Sequence, residues 1–592
     1  MVKQLPCLTG SAIKGKSLTA FVALISGVGF MLFGYDQGVM SGLFQAGQFA
    51  AYFPKMAETP PYALATSGTV PKNDAFDSTI QGAVTGIYEI GAMVGSLIVL
   101  WKGDAIGRRS SIAIGACTMI VGTIIMTAVG MSYSANARLT QFAIGRVVTG
   151  LGNGLNTSTI PMWQSELSKA HNRGLLVLIE GALIAGGIMI SYWIDYGFYW
   201  IDGSSVQWQF QIAFQCAFAI VLLLGILCLP ESPRWLIKKG HHEQAAMVLA
   251  QLDNTTTDDA AVQTQLRQLQ DSIGAAEELM GDFSYKELLQ NGPEQNLYRT
   301  TIAFVAQAFQ QLSGINLITY YAATVFASVQ PENKTARLLT CGNGTEYFLA
   351  SLVALFMIDT LGRRNLMMWT AFGMSASMAV LAGTVKQIND NPGKTLPESY
   401  VASVFLYLFN TFFALGWLGM TWLYPPEVTN IRIRAPASAI ATSSNWLFNF
   451  LIVMITPVSF ASIYWRTYLI FTVLNACFIP VIYIFFVETK RRSLEELDLI
   501  FSEAYDEGKG SFFKWSHFMT TACYLSLNKK LLSSEELDAE LAKRFGEDNI
   551  TTMRSRLSGN NVPVGEKTEK ASAHDEDSPQ DNLSSHSGSR HS

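Results

Sequence analysis

Asp104-Ala-Ile-Gly107-Arg108-Arg109 returns 255 residues later as Asp359-Thr-Leu-Gly362-Arg363-Arg364. Other charges repeat at nearly the same offset. Glu166 and Arg173 stand seven apart, as do Glu427 and Arg434, 261 residues further on. Glu231 recurs as Glu488, at 257. Each charged group directly follows an apolar run. The chain therefore carries two copies of one unit, and a pathway between the copies is the natural consequence.

Composition says what surrounds that unit. Only 15% of the 592 residues are charged, against about 25% in soluble domains. Of the 87 charges, 33 fall in 488–592 and 16 in 231–298, leaving 38 for the other 419 residues. That density cannot clothe a water-soluble surface, so the chain reads as an integral membrane protein with two soluble attachments. A secreted disulfide scaffold and a cytosolic enzyme are excluded. A net charge of −5 with no basic block argues against nucleic-acid binding. No His/Cys cluster has metal-ligand spacing and no P-loop is present, so neither a metal nor a cofactor is expected. Gly150-x-Gly152-x-Gly154 lacks the strand context of a nucleotide loop and reads as close helix packing.

Crossing a bilayer takes about 20 apolar residues as helix. Such runs centre near 19–39, 80–101, 110–131, 139–160, 174–195 and 208–229. They resume near 302–327, 337–358, 366–386, 402–424, 436–458 and 466–487. The eighth is the weakest, diluted by Cys341, Asn343 and Glu346. The fold class expected is all-α, twelve transmembrane helices in two six-helix halves. Its divisions are an N-terminus (1–18), a first half (19–229), a helical insert (230–300), a second half (301–487) and a tail (488–592) that is disordered after about 545. The first run is too long for a signal peptide and lacks a cleavage site. Short loops bearing Lys102, Arg108, Arg109, Lys169, Arg173, Arg363, Arg364, Arg432 and Arg434 put both termini and the insert in the cytoplasm by the positive-inside rule. Loop 43–79 is then the largest outer segment, and Asn333 lies in an outer sequon.

A machine that rocks between two states needs contacts between its halves that hold in one state and break in the other. Arg with Asp or Glu at the wet membrane edge can supply them. The candidates are Asp104, Arg108, Glu166, Arg173 and Glu231, with Asp359, Arg363, Glu427, Arg434 and Glu488. Plain positive-inside topology accounts for the arginines but not for acids recurring at fixed spacing.

At these residues the sequence resembles the sugar-porter branch of the major facilitator superfamily. The likeness runs over about 20–505. It rests on Gly34-Tyr35-Asp36, the two Asp-x-x-Gly-Arg-Arg loops, Pro161-Met-Trp-Gln-Ser-Glu166 and Arg173-Gly174. Pro230-Glu-Ser-Pro-Arg-Trp235, Gln310-Gln311-x-Ser-Gly-x-Asn316, Trp422 with Glu427, and Asn445-Trp446 complete it. Gly145-Arg146-Val-Val-Thr-Gly, Leu155-Asn-Thr-Ser-Thr-Ile-Pro161, Ile179-Glu180-Gly181 and Tyr192-Trp-Ile-Asp195 look more narrowly like the fungal glycerol and sugar–proton symporters.

The resemblance implies a substrate and a coupling site. Polyol hydroxyls both donate and accept, which suits amides, while their C–H faces suit indole rings. The matching positions of sugar porters, here Gln310, Gln311, Asn316, Trp422, Asn445 and Trp446, contact the hexose. Interhelical hydrogen bonding for the amides, and interfacial anchoring for the tryptophans, are the structural alternatives. Glu180-Gly181 stands where many hexose carriers have two glutamines, so a pentose, hexitol or glycerol becomes as credible a substrate. Glu180 either lines that pocket or bonds a neighbouring helix. Asp36, Glu89, Arg146 and Glu180 are ionisable groups at membrane depth, where charge is costly. The counterparts of Asp36 and Arg146 form the proton site of sugar symporters; Glu89 has no evident partner. The function implied is import of a sugar or polyol across the plasma membrane by proton symport, driven by the proton gradient, in a lipid bilayer and as a monomer. An uncoupled facilitator or a transporter-like nutrient sensor would share the same sequence features.

Overall fold

Helices account for the regular structure, because a chain in hydrocarbon must satisfy its own backbone groups. The computed structural model describes residues 13–528 apart from 58–73, 132, 169–172, 202, 281–283, 291, 331–332, 392–395, 431, 493 and 509–513, and beyond 528 only residue 536. Residues 1–12, Lys169 and the stretch after 545, for which disorder is expected, lie outside the described residues.

The first half runs through Lys16–Leu43, Ser78–Ile106, Arg108–Thr127, Ala135–Leu167, Arg173–Tyr199 and a sixth span split into Val206–Ala213 and Gln215–Cys228. In the second half, span 7 is Asn296–Leu312 followed by Ile315–Val329, and span 8 is Asn333–Leu361. Spans 9, 11 and 12 are Arg363–Asp390, Arg434–Ser462 and Arg466–Phe485; span 10 covers Leu396–Phe413, a π-helical turn at Ala414–Leu418 and Met420–Val428. Among the described residues eleven spans are long and apolar enough to cross a bilayer by composition alone. The exception is Ala135–Leu167, not the eighth span. It keeps Arg146, Asn153 and Asn156 because all three are buried against its neighbours.

The glycines set how closely the helices approach. A Cβ on Gly150 would lie 2.1 Å from the carbonyl of Tyr88, and one on Gly154 2.0 Å from that of Ala92, so span 4 presses its backbone onto span 2. Gly152 does the same against Gly115 of span 3. This is the small-residue packing expected of the Gly150–Gly154 run. Spans 1 and 5 interlock likewise through Gly34 and Gly187.

The repeated loops fold as two copies of one device. Gly107 and Gly362 both sit at positive φ (93° and 89°), where a β-carbon is strained. Each turn starts a helix whose first N–H groups are orphaned, and a carboxylate from the end of the half receives them. Glu231 takes the Arg109 N–H through both oxygens (3.2 and 3.1 Å); Glu488 takes those of Arg363 and Arg364 (2.9 and 3.1 Å). Burial pushes the Glu231 carboxyl above the usual carboxylate range, and the N–H groups of Ser232 and Arg109 pull it back.

The ion pairs that the described residues show among these charges lie within a half. Arg108 binds Asp104 at 2.7 Å and Glu166 at 3.2 Å, all in the first half. Arg363 binds Glu427 at 3.2 Å, within the second. Arg434 donates to the Thr429 carbonyl (3.3 Å). The side chains of Arg173 and Asp359 lie outside the described residues. Contacts between the halves were expected; these ion pairs instead join groups of one bundle, Arg108 to its acids in the first and Arg363 to Glu427 in the second.

The insert forms Pro233–Lys238, His242–Asp253, Ala260–Met280 and a 3-10 turn at Tyr285–Leu289, ending five residues earlier than expected because span 7 begins at Asn296. Arg432 clamps Glu287 of that turn through two bonds (2.6 and 2.9 Å). The tail holds Leu494–Gly508, as its Leu-Glu-Glu-Leu pattern suggests, and a further helix, Lys514–Asn528, that the sequence reading missed.

Gly362→Ala is expected to cost about 1–3 kcal/mol for its positive-φ, extended backbone alone, and more because its Cβ would sit 2.7 Å from Glu488. Gly383→Ala, in open space within span 9, should hold or raise stability by roughly 0.5–1 kcal/mol. Thermal melts of the two variants in detergent check the contrast.

Candidate functional site

Gly314, at φ 96°, breaks span 7 after Gln310-Gln311. The break turns the amides of both segments toward span 11. Asn445 donates to Gln307 (2.6 Å) and Gln310 (2.7 Å) and accepts from Gln311 (3.0 Å). Asn316 donates to Gln311 and to Asn449 (2.6 Å). Gln310 in turn donates to the carbonyls of Trp417 and Leu418 (3.1 and 3.3 Å), which the π-helical turn of span 10 frees from the regular ladder. Six amides from the two segments of span 7 and from span 11 thus form one buried network. A molecule bearing several hydroxyls can replace such bonds one for one, since each hydroxyl donates and accepts.

Four expected binding residues, Gln310, Gln311, Asn316 and Asn445, are brought together here. Trp446 is fully buried; its indole N–H donates to Ser96 of the first half (3.1 Å) and its ring meets Phe33 edge-on. Trp422 is half-buried and stands outside the amide network. Trp417 joins the network through its backbone carbonyl, while its ring packs tilted against Phe478. Glu180 is 3% exposed, and no hydrogen bond or ion pair joins it to another described residue. Its neighbour Gly181 faces Gly419 of span 10, where a Cβ would come within 3.4 Å. Of the two readings of Glu180, bonding to a neighbouring helix finds no support in this geometry.

The charged pair is formed as expected. Arg146 Nη1 lies 3.0 Å from Asp36 Oδ1, with side chains 1% and 0% exposed. Gln215 donates to the same oxygen (2.9 Å), and Arg146 also donates to the Thr85 carbonyl (3.1 Å) over the Tyr88 ring. Asp36 Oδ2 is buried without a well-formed hydrogen bond among the described residues. Glu89, for which no partner was expected, accepts from the Tyr320 hydroxyl of the second half. At the face opposite the basic loops, Arg337 of span 8 reaches the Gln45 carbonyl (3.0 Å) and lies over Tyr199, while Asp195 accepts from Gly42 (3.1 Å); the two side chains line one narrow pocket.

Gln307, Asn449, Gln215, Trp417, Tyr320 and Arg337 are thus site or interface residues that the sequence reading omitted. Helical spacing could have found two of them: Gln307 precedes Gln310 by three residues and Asn449 follows Asn445 by four. The others depend on which helices meet.

The family model described as "Sugar (and other) transporter" matches residues 20–501. The sugar transporter STL1 of Saccharomyces cerevisiae is 40% identical over 555 residues, 93% of each chain. The major facilitator superfamily transporter mfsA of Aspergillus fumigatus is 37% identical over 85% of this chain and 90% of its own. Among solved structures, the xylose transporter XylE of E. coli superposes with a TM-score of 0.64 over 81% of this chain and all of that one, at 23% identity, a likeness of fold. With two six-helix halves, a broken span 7 and a family match across both, this multi-pass membrane protein belongs to the sugar transporter family of the major facilitator superfamily.

Proposed function

We propose that the protein imports a sugar or polyol across the plasma membrane by proton symport, as a monomer with both termini in the cytoplasm. The observation that carries the coupling is the buried Asp36–Arg146 pair, with one carboxylate oxygen left free of a well-formed bond. A charge pair at membrane depth is costly unless partnered, so its two protonation states differ strongly in what they require of their surroundings. In the outward state a proton from solution adds to Asp36 Oδ2 and weakens its hold on Arg146. Substrate replaces bonds in the amide network and the halves rock. On the inner side Asp36 gives up the proton, and Arg146 recovers its partner. The repeated Arg–Glu clusters and carboxylate caps act inside each half, keeping each bundle rigid as it turns. The names of STL1 and of XylE, a sugar and a xylose transporter, support the substrate class.

Two outcomes test this reading. In a transporter-deleted yeast offered labelled glycerol, pentoses, hexoses and hexitols, substrate addition should alkalinise the medium, and a protonophore should collapse accumulation. Asp36→Asn keeps the shape of the side chain and should abolish uphill accumulation while exchange persists; undiminished accumulation would overturn the assignment. A facilitator would only equilibrate, and a sensor would move little. Separately, Asn445→Ala removes an amide that bound substrate would engage, a loss of about 1–3 kcal/mol in the bound state. The half-saturation concentration should rise roughly 5- to 100-fold, read by concentration-dependent uptake.

A further inference from the structure

Residues 319–323 of span 7, just past the Gly314 break, hold the second half to the first at the end opposite the basic loops. The Thr319 carbonyl accepts from Tyr192 of span 5 (2.7 Å), and the Ala323 N–H donates to Ser41 of span 1 (2.8 Å). Tyr321 stacks on Phe44, at 5.5 Å between centroids and 13° between planes, and its backbone leaves helical geometry (φ −124°, ψ 23°). Those three contacts are neutral. The fourth involves a titratable group: Tyr320 donates its phenolic proton to Glu89 Oε1 of span 2. Both side chains are fully buried, and Glu89 Oε2 has no partner among the described residues.

The placement joins this contact to both parts of the transport site. Tyr320 lies four residues beyond Asn316, on the same helix face as the amide network. Glu89 follows Tyr88, whose ring lies under Arg146, and stands one turn from Thr85, whose carbonyl receives Arg146. The titratable groups around Glu89 are therefore Tyr320 from span 7, Arg146 from span 4, Asp36 from span 1 and Tyr88 from its own helix. Span 11 packs on span 2 too, yet carries no titratable side chain between Ala435 and Ser462.

The geometry points to Glu89 as a proton-sensitive latch: ionised, it holds Tyr320 and the second segment of span 7 against the first half; protonated, it releases them. A carboxylate accepts a phenolic proton in a charge-assisted bond about twice as strong as a neutral one. When the outer path opens, the carboxylate loses its donor, and a proton from outside solution adds to Oε2. On closure that proton returns to the same side and Tyr320 donates again. Glu89 thus sets how readily the outer path opens without adding to the protons carried. It is a positioning residue, and the inference rests on the transport reading above.

Counterflow exchange, which needs no proton gradient, tests it apart from symport. Glu89→Gln keeps an acceptor for Tyr320 but cannot change charge; Tyr320→Phe removes the donor. In an Asp36→Asn background, which keeps exchange but no longer titrates at Asp36, the half-saturation concentration on the outer side is expected to shift at least about fivefold between pH 5 and pH 7.5. Added to that background, both variants should flatten that dependence to less than about twofold, and Glu89→Gln alone should keep the parent's proton-to-substrate ratio. An unchanged pH profile in either variant overturns the latch. So does Glu89→Gln that exchanges but no longer accumulates, since Glu89 would then carry the transported proton itself. If one variant fails to reach the membrane, the other decides. Failure of symport itself would show instead as no alkalinisation by the parent protein.

Discussion

Hydrocarbon offers no hydrogen bonds, and this constraint governs every polar side chain inside the bundle. Asp36 has Arg146 and Gln215; Asn445 and Asn316 complete the amides of span 7; Glu89 has the Tyr320 hydroxyl. Each bond also ties one helix to another, so the polar groups that a transporter needs for its cargo double as the cross-links of its resting structure. A substrate rich in hydroxyls competes with those links in kind. That exchange is how binding can alter helix packing without any large loss of hydrogen bonding.

Two kinds of junction follow from where the partners sit. The basic-loop clusters lie within a half: Arg108 with Glu166, Arg363 with Glu427, and the carboxylates of Glu231 and Glu488 on the helix starts. Here the charges are near water, the reach is one loop, and each bundle is stiffened. Contacts between halves are mostly neutral and close-packed, as with Trp446 on Ser96, Tyr192 on Thr319 and Gly82 against Met454. A surface that must part and rejoin is better built this way, since separating neutral groups strands no charge. Glu89, and Arg337 reaching Gln45, depart from that pattern, and both lie against the outer half of the interface.

Much of the architecture was legible because its signals are local. Apolar runs separated by charged loops define the spans, and the repeated Asp-x-x-Gly-Arg-Arg loop defines the halves. The least apolar span proved to be the fourth, since a hydropathy pattern cannot tell that Asn153, Asn156 and Arg146 all turn inward. In the site, Asp36 with Arg146 and four of the amides were recognisable from motif and depth. Glu180 remained ambiguous in sequence, because a carboxyl in a span reads the same whether or not a neighbour meets it.

The sequence by itself determined the membrane class, the duplication and the polar residues at depth. Composition and spacing act over a few residues and need no knowledge of neighbours. Tertiary structure alone decided which charges pair, that the Trp417 carbonyl joins the amide network, and that Glu89 reaches across to Tyr320. Those outcomes depend on helix rotation and approach. The close glycine contacts and the breaks at Gly314 and at the π-helical turn of span 10 set these, and they bring together residues more than 200 positions apart.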